Sequence, residues 1–328
     1  MRRRHIATLL KATLLVVIVG ALIQQDLLSL APIKTAISRW PLVLGGWVCI
    51  SCTTAIAIIR WHVLIRAQGI PIPLLRTIQS AFVGLFFNVF LPGSLSGDLI
   101  KGYYVVRSVP GHTATAVSSI LFDRVVGLSG LITLSAIALL VGSGGTWSGT
   151  LGAPIVLAVI GVTSGVVVFY AALLGLSDER DPIFRILRHL ATRFAFLRGV
   201  LKVYEGVRVY HDKRGVTLAC VGASIIAHGF LVVAWICFVN AMEIDGIPIG
   251  AMFVVVPIGM LVSSIPLGPA GIGTGHAAFL AIFALLGSNR GADLFNLVLA
   301  FQFIQAALGG MVYLTVRAEA VEVEVEHG

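Results

Sequence analysis

Long apolar runs separated by short polar segments dominate the chain. Six of them, at about 12–30, 41–59, 114–141, 152–175, 216–240 and 294–316, are long enough to cross a bilayer, for which about 20 mostly apolar residues suffice in a helix. Two further apolar stretches, about 77–108 and 247–287, are broken near their middles. The first break reads Leu91-Pro92-Gly93-Ser94-Leu95-Ser96-Gly97-Asp98, the second Pro266-Leu267-Gly268-Pro269-Ala270-Gly271-Ile272-Gly273. Proline removes a backbone donor and glycine releases the chain into turns. Non-helical backbone at membrane depth persists only where protein or a wet cavity covers it. The halves, about 14 residues each, are short for full spans. Each broken stretch is therefore expected to be a re-entrant helical hairpin that enters and leaves on one face. Two ordinary spans joined by a loop are the alternative.

Composition agrees with this pattern. The chain has 328 residues, 58% hydrophobic and only 12% charged, where soluble domains carry about 25% charged residues. That is too little polar surface to cover a water-soluble globule. The expected fold class is an all-α integral membrane protein of about six spanning helices plus two re-entrant hairpins, forming one polytopic domain over 1–328. Met1-Arg2-Arg3-Arg4 before the first run reads as the start of a retained first helix rather than a cleaved signal. The alternating Glu/Val tail from Glu319 to Glu326 reads as a solvated end.

The net charge of +8 raises nucleic acid as a partner, but the basic residues sit between apolar runs, as juxtamembrane charges do, and point instead to anionic lipid. Arg60, Arg66 and Arg76 precede the first broken stretch, Lys101 and Arg107 end it, and 177–215 is strongly basic. The 142–151 loop carries no charge, and 241–247 carries only Glu243 and Asp245. The positive-inside rule then places both termini and the basic segments in the cytoplasm, with Lys34 and Arg39 as a minor violation. Each half, about 10–141 and 152–317, follows the order span, span, hairpin, span, starting on opposite sides. This is an inverted-topology repeat, a plan that many transporters use. The 177–215 segment interleaves its charges with Ile183, Phe184, Leu187 and Leu190. It is either an amphipathic helix lying on the membrane or a plain cytoplasmic connector.

Candidate chemistry gathers at three places. In the first break, Asn88, Pro92, Gly93, Gly97, Asp98 and Lys101 combine a turn, a carboxylate suited to capping the returning helix, and a lysine one turn on that can meet a phosphate. Inside the third span lie Asp123 and Arg124. Neighbours on a helix point about 100° apart, so they are expected to bond separate partners, and the Arg124 fork matches a phosphate. In the second break, Pro266, Gly271, Gly273 and His276 form a close-approach turn with a histidine that is structural or titratable. The four cysteines lie in apolar runs, and Cys49-x-x-Cys52 has no second pair to complete a metal site. No metal, cofactor or established catalytic motif is expected.

Asn88…Leu91-Pro92-Gly93…Gly97-Asp98, Asp123-Arg124-x-x-Gly127 and Pro266…Gly271-Ile272-Gly273 together resemble the flippase-like membrane domain of lysylphosphatidylglycerol synthases and its stand-alone relatives, over about 10–317. The resemblance implies handling of phospholipid between leaflets. Two departures bear on it. No aminoacyltransferase domain follows residue 317, so lysyl transfer is not expected. Gly275-His276 stand where the family commonly has Arg-Glu, so that carboxylate's role is not carried over. The expected function is a transporter or flippase of a phospholipid or other lipid-linked anion in the cell (inner) membrane. Two alternatives stay open: an embedded enzyme on a lipid-linked sugar or prenyl phosphate, with Asp98 and Asp123 as its pair, and an accessory subunit of a lipid-biosynthetic complex. Expected partners are the membrane and a lipid substrate. Self-association or a lipid-biosynthesis partner stays open, and no nucleic acid is expected.

Overall fold

In hydrocarbon the backbone has no water to bond, so a chain this apolar must satisfy its amides within helices. The computed structural model describes residues 31–90, 96–109, 111–142, 152–177, 180–194, 197–265 and 269–326, and among these every regular element is helical. In chain order they are α1 (Ala31–Ser38), α2 (Trp40–Ala67), α3 (Leu74–Phe90), α4 (Ser96–Ser108), α5 (Thr113–Val141), α6 (Gly152–Gly175), α7 (Pro182–Arg193) and α8 (Leu197–Arg208). After a 3-10 turn at Val209–His211 come α9 (Arg214–Ala241), α10 (Ile249–Ser263), a 3-10 turn at Pro269–Gly271, α11 (Thr274–Ala284) and α12 (Gly291–Glu326).

Helices α2, α5, α6, α9 and α12 as far as Thr315 have 28, 29, 24, 28 and 25 residues. At 1.5 Å per residue they reach about 36–44 Å, more than a hydrocarbon core of about 30 Å. They coincide with five of the six expected spans; the sixth, 12–30, lies outside the described residues. Their surfaces are apolar where a soluble protein's would be polar: Leu140, Leu157 and Val168 are 86%, 68% and 67% exposed. The polar side chains turn inward, with Ser118, Ser119, Asp123, Ser129 and Ser135 of α5 all buried. This is an integral membrane protein.

Both broken stretches are helix, break, helix. The first gives α3 and α4 with 17 and 13 residues, the second α10 and α11 with 15 and 11. None exceeds about 26 Å in length, short of the core. In the second, α10 packs against α11. The turn between them uses left-handed backbone at Ala270, Gly271 and Gly273, with φ of 52°, 74° and 88°. Gly271 is required there, since a Cβ would lie 2.8 Å from the Ser263 carbonyl oxygen at the end of α10. Pro92, Gly93 and Pro266 lie outside the described residues.

The helices fall into two compact units. The described part of unit 1 holds α1, the start of α2, the end of α3 with Ser96 and Gly97, the end of α9, and α10 to α12. Its core is aromatic. Trp235 stacks on Phe279 with centroids 4.0 Å apart, Phe279 on Phe295 at 5.5 Å, and Phe238 on Phe301 at 5.4 Å. Small residues let these rings approach, as membrane helices require: Gly46 lies against Phe238, Gly259 against Phe279 and Gly275 against Phe295. Arg39 pairs with Glu243, so the α1–α2 junction and the loop after α9 share one end of this unit. The topology read from charge puts both on one side.

Unit 2 holds the rest of α2 and α3, α4 from Asp98, α5 to α8 and most of α9. Leu64, Phe122, Val126, Leu173, Tyr210 and Cys220 form its buried apolar cluster. Tyr210 stacks on Phe122 at 4.0 Å and donates to the Leu64 carbonyl at 3.0 Å. Burial pushes its phenol above the ordinary range, so it stays a donor. Gln68 donates to the Tyr210 hydroxyl at 2.8 Å and Ser118 donates to Gln68 at 3.0 Å. These bonds gather the C-terminal end of α2, the N-terminal end of α5 and the turn before α9 at one end of the unit.

Three expectations are corrected here. The 177–215 segment holds two helices where one was expected, and it is packed on the rest of unit 2 instead of being a plain connector. Helices α7 and α8 pack on each other, α8 packs on α5, and Arg208, read as a loop charge, is 5% exposed. Arg60, also read as a loop charge, is buried inside α2. Asp98 does not cap α4, because the helix starts at Ser96 and Asp98 falls in its first turn.

At Gly291 an added Cβ would meet the backbone carbonyl of Phe279, which cannot swing away as a side chain would. Gly291→Ala is expected to destabilise by about 1–3 kcal/mol. Gly222→Ala on α9, with open space around it, should be neutral or stabilising. Thermal unfolding of the two purified variants in one detergent compares them.

Candidate functional site

The site is built on α5. Asp123 and Arg124 are adjacent, so their side chains leave the helix in different directions and meet different partners. Asp123 faces α2, where Arg60 donates from Nε to its Oδ1 at 2.8 Å. Arg60 also donates to Ser224 Oγ on α9 at 3.0 Å and to the Asp123 carbonyl at 3.4 Å. One guanidinium thus ties three helices together. Gly127 leaves room for it, since a Cβ there would come within 3.4 Å of Arg60 Nη2. Ser224 sits on α9 with His228 one turn on, whose Nδ1 lies 2.7 Å from the Ser224 carbonyl.

Lys101 enters from α4. Its Nζ lies 3.9 Å from Asp123 Oδ2 and 3.6 Å from the centroid of the Trp61 ring, a cation–π distance. Trp61 is fully buried, and its indole N–H has no hydrogen-bond partner. One turn before Lys101, Asp98 Oδ2 accepts from Arg124 Nε at 2.9 Å. Lys101 lies within electrostatic range of Asp98, Asp123, Arg60 and Arg124.

These five groups are graded in depth. The side chains of Arg60 and Asp123 are 6% and 12% exposed and Lys101 is 11% exposed, whereas Arg124 and Asp98 are 30% and 24% exposed. Counted formally, three cations face two carboxylates, a surplus of one positive charge. A buried surplus is costly unless an anion balances it. An inner pair is thus locked away from water, an outer pair is reachable, and a lysine stands between them over an aromatic face with a spare donor beneath.

The other singled-out residues lie in unit 1. The Gly97 amide donates to Asn88 Oδ1 at 2.8 Å, and Gly97 packs against the Gly84 carbonyl so closely that no side chain fits. Asn88 therefore links the end of α3 to the first turn of α4. In the second break the Gly273 amide donates to His276 Nδ1 at 3.3 Å, and His276 Nε2 lies 2.7 Å from Asn296 Oδ1. With Nδ1 accepting, Nε2 carries the hydrogen and donates. His276 is 1% exposed with Phe295 edge-on at 5.0 Å, so it ties α11 to α12. Among the described residues, no group of three or more His, Cys, Asp or Glu side chains is placed to hold a metal ion.

The structure therefore brings Asp98, Lys101, Asp123 and Arg124 together, joins Asn88 to Gly97, and joins Gly273 to His276. Sequence reasoning missed Arg60, Trp61, Ser224 and Asn296. An arginine within an apolar helix was the available signal for Arg60, and it was read as a loop charge. A model of the lysylphosphatidylglycerol synthase TM region matches residues 8–311. The chain belongs to this family. No curated protein and no solved structure matches it. The match takes in every element that builds the lysylphosphatidylglycerol synthase-type membrane region's charged cluster here, from Arg60 to Ser224. A membrane domain connected with lipid is thereby established.

Removing one partner of a buried pair leaves the other uncompensated. Asp123→Ala is expected to destabilise by about 3–5 kcal/mol, while Arg60→Leu combined with Asp123→Leu should recover most of that loss. Detergent melting curves for the single and double variants decide it; a double variant no more stable than Asp123→Ala would contradict the assignment.

Proposed function

We propose that this chain carries a phospholipid or other lipid-linked anion between leaflets, with the lipid phosphate held at the cluster on α4 and α5. The observation that carries the reading is the graded, positively unbalanced charge cluster within an apolar protein. Ionisable groups at membrane depth are costly, and by default they mark a substrate pathway. In this reading Arg60 and Asp123 are the fixed frame. Asp98 is an internal stand-in for the substrate: it occupies Arg124 until a phosphate replaces it, and the phosphate then gains Lys101 as a second cation. The Arg124 fork and the Lys101 point charge are the two kinds of donor that phosphate takes. The Trp61 indole N–H is a further donor within the same neighbourhood.

The proposal includes the membrane arrangement. The two broken stretches are re-entrant pairs arranged as an inverted repeat, which supplies alternating access. The short helices on either side of both breaks, and in the second stretch the left-handed turn that folds α11 back on α10, support this. The exposed arginines at 180–198 support a cytoplasmic placement for that end of unit 2 and, with it, for both termini in the cell membrane.

Leaflet-resolved translocation of labelled phospholipids in proteoliposomes is the test. Wild-type protein should accelerate exchange of an anionic lipid, and Arg124→Ala should abolish the acceleration while keeping the melting temperature. Folded protein that leaves every lipid of a broad panel at its spontaneous rate overturns the proposal. Asp98→Asn should strengthen retention of anionic lipid in native mass spectrometry, because it removes the competing carboxylate, whereas Arg124→Ala should weaken it. Weakened retention in Asp98→Asn would make Asp98 a lipid contact and not a stand-in.

A further inference from the structure

The outer surface of α7 has a pattern that translocation does not require. At about 100° per residue, Ile183, Phe184, Ile186, Leu187, Leu190 and Ala191 share one face, and Arg185, Arg188, His189, Thr192 and Arg193 share the other. Only half of the apolar face is covered. Ala191 is buried, and Phe184 stacks on Tyr204 of α8 with centroids 6.3 Å apart. Ile183 and Ile186, on the other side of that face, are 55% and 59% exposed. The uncovered isoleucines border the basic side, where Arg185, Arg188 and Arg193 are exposed.

The place of α7 within unit 2 says what meets this surface. Asp181 caps α7, accepting from the amides of Ile183 and Phe184 at 2.9 and 3.2 Å. Its other oxygen accepts from the Tyr204 hydroxyl at 2.8 Å and lies 3.4 Å from Arg208. Arg208 in turn donates to the carbonyls of Leu176 at 2.6 Å and Leu173 at 3.4 Å, at the C-terminal end of the span α6. The start of α7 is thus fastened at the level where a span leaves the hydrocarbon. A helix held at that level, with bare isoleucines beside arginines, has the make-up of an interfacial helix, and its charge complements phosphate-bearing head groups.

We propose that α7 is a fixed interfacial helix that binds anionic phospholipid in the leaflet reached by the C-terminal end of α6. Ile183 and Ile186 seat among the acyl chains. Arg185, Arg188 and Arg193 extend along their stems to the phosphates. This site is separate from the buried cluster on α4 and α5, and it recruits lipid whether or not the protein moves lipid.

The test places a fluorophore at Ile186→Cys or, as a control on the polar face, at Thr192→Cys, with the four native cysteines changed to serine. Each protein is put one copy per nanodisc of phosphatidylcholine, with or without phosphatidylglycerol. Nitroxide on the acyl chain should quench the label at 186 and spare the label at 192, and phosphatidylglycerol should raise the quenching about twofold. Replacing Arg185, Arg188 and Arg193 together by glutamine should remove that gain while leaving the melting temperature unchanged. Quenching of the label at 186 by aqueous iodide and not by lipid nitroxide would overturn the proposal. So would shielding from both quenchers, which would mean that protein covers this face. Neither readout involves translocation, so this site and the transport reading stand or fall separately.

Discussion

The structure of unit 2 turns on one buried ion pair. Taking Arg60 and Asp123 out of water costs several kcal/mol per ion, and their mutual attraction offsets it only with good geometry and further hydrogen bonds. Those conditions are met: Arg60 uses Nε, Nη1 and Nη2 on Asp123, Ser224 and a main-chain carbonyl. The result fixes the rotation of α2, α5 and α9 about their own axes. A helix of uniform apolar surface has little reason to prefer one rotation over another in lipid, because dispersion contacts are nearly interchangeable. A guanidinium that must find a carboxylate and a hydroxyl removes that freedom.

Once the rotation of α5 is set by Asp123, the direction of Arg124 follows, since the next residue on a helix lies about 100° away. Arg124 then faces the first turn of α4, where Asp98 meets it, and Lys101, three residues further along α4, is left over Trp61. The inner pair is structural because water cannot reach it. The outer pair keeps about a quarter to a third of its side-chain surface open. That difference in depth, more than the identity of any residue, separates the enclosed charges from the accessible ones in this protein.

Much of the fold was legible in the sequence because the bilayer makes so few demands: length, apolarity and internal hydrogen bonding. The spans α2, α5, α6, α9 and α12 followed from apolar runs alone. The two breaks followed from proline and glycine, whose backbone effects are local. Separate partners for Asp123 and Arg124 followed from helix geometry. What could not be read were contacts that depend on helix rotation. Arg60 looked like a loop charge because Arg66 and Arg76 follow it, and nothing in its neighbours says that it points inward at a carboxylate 63 positions away. Arg208 was misread for the same reason: its carbonyl and carboxylate partners are 35, 32 and 27 positions distant. His276 and Asn296 meet only because α11 packs on α12.

Helix α6 has only Gly152, Val159 and Leu173 buried among its 24 residues. Its fastening is concentrated at the C-terminal end, through Arg208. Tyr170 and Leu174 pack on the core of unit 2, but the outward positions, Leu157, Ile160, Val162, Val167 and Val168 among them, ask only for an apolar side chain, and lipid distinguishes poorly among Val, Leu, Ile, Ala and Phe. One apolar residue can therefore replace another along the outer side of α6 at little cost, whereas Asp123 of α5 has a partner that no apolar residue could satisfy.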